Sequence, residues 1–392
     1  MPISTDRPTL RLLLLLHRLD YGGAELQLIH LARGLVQQGH DVTLCCIDRS
    51  VIDLQPLEQA GVQVVQMHAR SRLARIAAIP RLARLARRCD VVHCTMWDTS
   101  LWGRIAAIVA RRPVIVADHA TDRSVQLATN GNGRGRWIAL HNRLLDPFTF
   151  ATVACASTQR AVLEGEGVAP RKIVEIANGV PTAELVAAAS DGPSRGDFGI
   201  PEQARVAIHV AGFRAEKNQL GALEAFAEIR ERIGDVHLVF LGSGPLRSQV
   251  EARARELDAG GWAHFLGFRD DVPAVLSLAD LMVLPSISDA MPMTILEAMA
   301  LGVPVVATDV GDVRATLAGG AGVCVPAGDQ AAFVAACSEL LSDPARLAEL
   351  ARAGQERARD FDSAAMSERY AELFEAASAG AALGDQEREA AR

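Results

Sequence analysis

Arg214 and Lys217 stand three residues apart in AGFRAEKNQLGALEAF, between an apolar run, VAIHVAG, and a helical pattern. Two cations in a loop that follows a strand suit a diphosphate, because a planar guanidinium forks onto oxygens and a compact ammonium acts as a point charge. A solvated turn with capping charges is the alternative reading of the same residues. The lysine is conspicuous: Lys172 and Lys217 are the only two in a chain with 40 Lys and Arg residues.

The segment LPSISDAMPMTILEAMALGVPVVATDVG carries Asp289 and Glu297, with seven residues between them. Pro292 predicts a helix start, since a missing N–H costs nothing in a first turn. The expected helix runs from about Pro292 to Leu301 and is closed by Gly302. Backbone N–H groups near Met293 and Thr294 can receive phosphate or hydroxyl oxygens, and the two carboxylates can accept from sugar hydroxyls. Alternatively, Asp289 is a helix N-terminal charge and Glu297 a surface residue. The helix is too apolar for free exposure, so a buried Glu297 needs a partner.

Three weaker signals occupy strand ends. Gly22 and Gly23 open a helix after the first apolar run, where paired glycines allow close backbone approach and the helix N-terminus favours an anion. Gly242, Ser243 and Gly244 form a tight turn whose N–H groups can face a ligand; a plain turn has the same composition. His93 and His119 end the runs DVVHC and VIVADHA. His119 has the better claim to chemistry, because it precedes an Arg- and Gly-containing loop, and Asp118 beside it can orient that loop or bind a hydroxyl. GxGxxG and GxSxG are both absent, which argues against a dinucleotide fingerprint and a hydrolase elbow.

These residues need strands to present them. Aliphatic runs alternate with helical patterns in two series: LRLLLLL, HDVTLCCI, VQVVQM, DVVHC, PVIVADH and ATVACAS, then VAIHVAG, DVHLVFLG, HFLGF, LMVLPS and PVVATD. Alternation of this kind predicts parallel sheets covered by helices. Ligands of such sheets bind beyond the carboxyl ends of the strands. The expected fold is α/β, with two doubly wound Rossmann-like domains facing across a cleft. Gly, Pro and Ser between Asn178 and Pro201 mark the connection, and a mobile loop is expected at Asn130 to Arg136. The domains are placed at 1–180 and 181–360, with a C-terminal helix within 361–392 packing back on the first and a tail frayed after about Ala379.

At 392 residues, 49% hydrophobic and 22% charged, the chain has room for about two cores and excludes a wholly disordered or collagen-like protein. Its longest pure aliphatic run, Leu12 to Leu16, is far short of the roughly 20 residues of a membrane span and reads as a buried strand. Seven cysteines without a CxxC pair read as reduced core thiols in a cytoplasmic protein, with no metal site. Residues 1–180 carry 22 Lys and Arg against 15 Asp and Glu, and the remainder 18 against 32, which supports a boundary near 180. The stretch Arg70 to Arg88 predicts a basic amphipathic helix after Pro80, with Arg81, Arg84 and Arg88 beside Leu82 and Leu85. Charge runs of this type usually form a solvated face; contact with anionic lipid at the inner face of the membrane, or with an acidic acceptor, is the sharper reading.

The ordered set GGAE, FRAEKN, GSGP, GFRDDV and DAMPMTILEAMALGVPVVAT, with the NGV of Asn178 to Val180, resembles the family 4 retaining glycosyltransferases of GT-B architecture. The resemblance implies that Arg214 and Lys217 hold the donor diphosphate, with Gly23 against the phosphates and Glu297 on the nucleotide ribose. It further implies that Asp289 contacts donor-sugar hydroxyls, that the backbone at Phe268 and Arg269 borders the base, and that His119 lies near the reacting sugar. Sugar transfer from a nucleotide diphosphate, UDP preferred, to a hydroxyl would retain anomeric configuration without a metal or other cofactor. The acceptor falls to the first domain, where Asp118, Arg134, Arg136 and the basic helix suit an anionic or lipid-linked molecule; no nucleic-acid partner is expected. One departure is Asp289, where the family usually has the longer Glu; Ala290 and Met291 likewise replace a Gly and a bulky residue. A nucleotide-sugar 2-epimerase of the same architecture and a non-catalytic nucleotide-sugar-binding protein are the alternatives.

Overall fold

The computed structural model describes residues 8–119, 133–190 and 192–380; the side chains of 97–98 and 133–136 fall outside that description. The chain forms two compact units. The first is Met1–Gly179 with Ser363–Arg392, and the second is Val180–Asp362.

The first unit is built on seven parallel strands: β1 (Arg11–Leu16), β2 (Asp41–Cys46), β3 (Gln63–Gln66), β4 (Val91–Thr95), β5 (Val114–Asp118), β6 (Ala151–Ala154) and β7 (Ile173–Glu175). Their order in the sheet is β3-β2-β1-β4-β5-β6-β7. The five leucines of β1 are buried on both faces, as a central parallel strand requires. Leu12, Leu14 and Leu16 pack with Leu28, Leu31 and Leu35 of helix Gly23–Gln37 and with Tyr370 and Phe374 of helix Ser363–Ala379. Leu13 and Leu15 turn the other way, onto Leu82, Ala83 and Ala86 of helix Arg72–Arg87 and Ala106 and Ala107 of helix Trp97–Ala110. Period-2 alternation divides one apolar run between two cores.

The second unit holds β8 (Arg205–Val210), β9 (Val236–Leu241), β10 (Ala263–Gly267), β11 (Leu281–Leu284), β12 (Val305–Thr308) and β13 (Val323–Val325), in the order β10-β9-β8-β11-β12-β13. Every pairing is parallel. In both sheets the order reverses beside the first strand, between β1 and β4 and between β8 and β11. Such switch points open a crevice at the carboxyl ends of the strands.

Several local expectations need correction. Pro80 does not begin the basic helix but lies inside Arg72–Arg87, which Ser71 caps by accepting from the Ala74 N–H at 3.1 Å. That proline leaves the Ile76 carbonyl without its helical donor, and because Ile76 and Pro80 both lie on the solvent side of the helix, water can take the donor's place. Gly133 to Arg136 form the first turn of helix Gly133–Leu145, so the expected loop is shorter than Asn130 to Arg136; residues 130–132 lie outside the described residues, as does the tail beyond 380. The connection after Asn178 contains helix Thr182–Ala188 and a short 3-10 turn at Arg195–Phe198. The three-residue strands β7 and β13 fall in KIVEI and GVCVP, too short to register as elements. No helix among the described residues is long and apolar enough to cross a membrane.

Candidate functional site

In the second unit the predicted residues gather at the carboxyl ends of β8 and β11. After β8 a 3-10 turn, Ala215–Lys217, ends at Asn218, whose left-handed backbone (φ 53°) reverses the chain and whose side chain caps helix Gln219–Ile233. Lys217 pairs with the Asp289 carboxylate, the two side chains being 22% and 10% exposed. Ser286 Oγ reaches the same carboxylate at 3.3 Å. The turns are also joined through backbone, Ile287 N–H donating to Glu216 C=O at 2.8 Å. Arg214 is exposed and, among the described residues, makes no side-chain hydrogen bond or ion pair. It remains available to a ligand.

Three residues that sequence reasoning passed over support this pair. Buried His209 donates from Nε2 to the Lys217 carbonyl at 3.0 Å, and burial holds its ring at about 4, well below the ordinary imidazole range. Ser286 binds Asp289 as described. Gly311 (φ 53°) passes so close behind the Asp289–Ala290 turn that a Cβ there would lie 2.2 Å from either carbonyl oxygen. A lone histidine within the apolar VAIHVAG and a glycine following VVATD were the available signals.

Glu297 lies on helix Met293–Ala300, half-buried and, among the described residues, without a side-chain hydrogen bond or ion pair. Burial alone raises its carboxyl to about 7. A desolvated carboxyl without a protein partner is costly unless a ligand supplies donors. Pro292 occupies the N-cap position rather than the first helical residue, and among the described residues no side chain caps the end, so the first N–H groups at Met293 and Thr294 keep their donor capacity.

The glycine turn after β9 is engaged with protein. Gly242 N–H donates to Gly267 C=O at 2.8 Å, and Ser243 C=O accepts from Phe213 N–H at 3.0 Å. Added Cβ atoms at Gly242 and Gly244 would fall 2.2 and 2.6 Å from the Ala211 and Phe213 carbonyl oxygens. These glycines let the turn lie against the loop that carries Arg214. Phe268 is 48% exposed, while the Arg269 guanidinium forks onto Asp271, Nε and Nη2 each donating at 2.6 Å.

In the first unit Gly22 is the N-cap of helix Gly23–Gln37, and the Glu25 carboxylate folds back over it. His119 directly follows β5 on the same edge of the sheet. Burial holds its ring at about 4, opposed by the Asp118 charge and a hydrogen bond with Asn178. His93, its neighbour on β4, is closed off edge-on by Tyr370 and Phe374 at 5.5 and 5.8 Å. That makes His93 a core residue. Asp118 is buried at the end of β5. Arg134 and Arg136 belong to the first turn of helix Gly133–Leu145, and their side chains lie outside the described residues.

Residues 21–184 match the model of Glycosyltransferase Family 4, and residues 192–359 that of Glycosyl transferases group 1. A phosphatidyl-myo-inositol mannosyltransferase of Mycolicibacterium smegmatis is 26% identical over 369 residues, 91% of each chain. An N-acetyl-alpha-D-glucosaminyl L-malate synthase of Bacillus anthracis is 33% identical over 165 residues, 42% of each chain. The chain spans about half the length, or less, of the relatives it matches above 30% identity. Among solved structures, Anabaena Alr3699/HepE in complex with UDP and glucose shares the fold, with a TM-score of 0.78 at 20% identity over 93% of this chain and 99% of that one. With two parallel α/β units and family models running through nearly all of both, the chain belongs to the family 4 glycosyltransferases and has the GT-B fold.

Proposed function

We propose that the protein transfers a sugar, with retention, from a nucleotide diphosphate donor, UDP preferred, to a hydroxyl of a glycan, glycolipid or small-molecule acceptor. One observation carries this reading: Lys217 and Asp289, from the ends of adjacent strands β8 and β11, meet beside Arg214, whose side chain is unpaired among the described residues. Arg214 and Lys217 take the diphosphate. Asp289 turns to the sugar hydroxyls, and Glu297 accepts from the ribose. Gly22 and Gly23 approach the phosphates, and the backbone at Phe268 and Arg269 borders the base. The Gly242–Gly244 turn supports the Arg214 loop. Asp118, Arg134 and Arg136 serve the acceptor, and His119 the reacting sugar.

As the bond from the anomeric carbon to the phosphate oxygen breaks, the electron pair passes to the diphosphate. The cations and the N-terminus of helix Met293–Ala300 stabilise that charge where it forms. The acceptor oxygen bonds to the same face of the anomeric carbon while its proton passes to a departing phosphate oxygen. The products are the glycoside and the nucleoside diphosphate, and no step calls for a resident metal or other cofactor.

The basic helix extends the reading to peripheral contact with the inner face of a membrane. Leu73 and Ile76 are 78% and 48% exposed on the helix that carries exposed Arg72, Arg81, Arg84 and Arg87. Apolar side chains flanked by arginines suit the headgroup region of an anionic bilayer. The mycobacterial relative, by its name, acts on a phospholipid.

Thermal stabilisation by a panel of nucleotide sugars tests donor class, since a ligand of the folded form alone raises the melting temperature. UDP release with a new glycoside is the expected product pattern. A new epimer without acceptor would establish the epimerase instead, and binding without turnover across many acceptors a non-catalytic protein.

A further inference from the structure

Gln27 is a buried polar side chain, 3% exposed, on a helix face that otherwise buries Leu28, Leu31, Ala32 and Leu35. Both ends of its amide are used. Oε1 accepts from Gly179 N–H at 3.1 Å, and Nε2 meets the Met366 sulfur. These partners mark the two places where the chain leaves and re-enters the first unit: Gly179 is its last residue before Val180, and Met366 lies in the first turn of helix Ser363–Ala379. Immediately before Gly179 stands Asn178, buried, with its side chain against the His119 ring. One helical turn before Gln27 stands Gly23.

A buried backbone N–H must have an acceptor. With Gln27 replaced by an apolar residue, Gly179 N–H loses its acceptor and the 178–179 backbone can recover one only by moving, which displaces Asn178 from His119. We propose that Gln27 is a positioning residue: it fixes the Asn178–Gly179 backbone so that Asn178 orients His119. The proposal rests on the assignment of His119 to the reacting sugar.

Three variants of the full chain test it. Gln27→Met keeps length and bulk without either polar atom, Gln27→Glu keeps the oxygen that faces Gly179, and Met366→Leu removes only the sulfur. The readouts are the His119 ring resonance by NMR, UDP binding by calorimetry and UDP release from UDP-glucose. In Gln27→Met the ring resonance moves and kcat falls about tenfold, as a small misplacement near the reacting atoms produces, while the Kd for UDP stays within about twofold. Gln27→Glu and Met366→Leu keep the His119 resonance and hold kcat within about threefold. An unmoved resonance in Gln27→Met, a Gln27→Glu that behaves like it, or UDP affinity falling in step with kcat overturns the proposal. Should Gln27→Met not fold, Asn178→Ala replaces it: a displaced His119 resonance with unchanged UDP affinity supports the proposal and an unmoved one refutes it. A wild-type protein that neither binds UDP nor releases it from UDP-glucose refutes the donor reading, and the His119 resonance then still decides the role of Gln27.

Discussion

Lys217 and Asp289, 72 residues apart in sequence, meet as an ion pair across the β8–β11 switch point. The ammonium assigned to the donor diphosphate is therefore already neutralised, and the donor must draw it away from Asp289. Removing one member of a desolvated pair costs more than the pair contributes, because the other charge is left unbalanced. Lys217→Ala should lower kcat by about 10² to 10³, the roughly 3 to 4 kcal/mol of a lost oxyanion donor. UDP release from UDP-glucose measures it, and near-normal turnover would remove Lys217 from the mechanism.

Asp289→Asn should separate binding from turnover. The neutral amide releases Lys217 to the phosphates, so UDP, which has no sugar, binds about two- to fivefold more tightly, the roughly 0.4 to 1 kcal/mol at the low end of one net hydrogen bond. Turnover of UDP-glucose falls about tenfold, because the sugar loses its charged acceptor. Calorimetry with UDP alongside steady-state kinetics checks both. Weaker UDP binding would mean that Asp289 holds Lys217 in place rather than restraining it.

Glu297 gives the donor site a pH dependence. Burial raises its carboxyl from 4.5 to about 7, so the folded chain keeps a proton that the unfolded chain loses near 4.5. Its contribution to stability is present below that value and is lost as pH rises through about 7. Ribose hydroxyls donate to the carboxylate, so donor binding below pH 7 expels the proton. UDP-glucose affinity should rise between pH 6 and 8, with proton uptake by buffer visible in the binding heat at pH 6; the sugar-esterified diphosphate does not titrate there. Glu297→Gln should flatten both responses. A wild-type affinity independent of pH would place Glu297 outside the donor site.

The sequence made some of this visible and hid the rest for identifiable reasons. Five consecutive leucines announced a buried strand, and the β8 and β11 loops stood out because Lys217 and the Asp289–Glu297 spacing are local patterns. Their meeting was invisible, since the switch point joins strands distant in sequence. His209 was missed because a histidine inside an apolar strand looks like packing until its carbonyl partner is known. The glycines at 242 and 244 suggested a tight turn whose N–H groups face a ligand; hidden from the sequence was the neighbouring loop, whose backbone lies where their side chains would stand. Pro80 suggested a helix start because an interior proline is costly; the sequence did not show that Pro80 and the Ile76 carbonyl it strips of a donor would both face solvent.

The buried histidines set an acid limit. Burial is the leading cause that holds His93 at about 3 and His119 and His209 at about 4. Imidazole in the unfolded chain titrates near 6.5, so between about 6.5 and 4 the unfolded chain binds more protons, and stability falls as pH drops. The slope is about 1.4 kcal/mol per pH unit for each histidine. His209→Gln retains an N–H donor for the Lys217 carbonyl without titrating. It should make the acid dependence of melting shallower and leave kcat at pH 7.5 within about threefold. His209→Ala leaves that carbonyl without its donor and should cost about 1 to 3 kcal/mol. Identical acid slopes for wild type and His209→Gln would contradict the burial argument.

The face of helix Arg72–Arg87 gives the membrane reading its test. No acidic residue interrupts Arg70 to Arg88, so near an anionic surface each arginine adds about 1 kcal/mol, and the attraction weakens as salt shortens the Debye length. Cosedimentation with phosphatidylglycerol vesicles should exceed that with phosphatidylcholine and fall between about 50 and 300 mM salt, a range over which screening rises steeply. Replacing Arg81, Arg84 and Arg87 together by Ser should weaken binding by about two orders of magnitude. Leu73→Ser with Ile76→Ser should lower affinity at every salt concentration, because it removes the apolar part of the contact and leaves the charges in place. Equal binding to the two vesicle types, or a triple arginine variant that binds like wild type, would return this helix to the role of an ordinary solvated face.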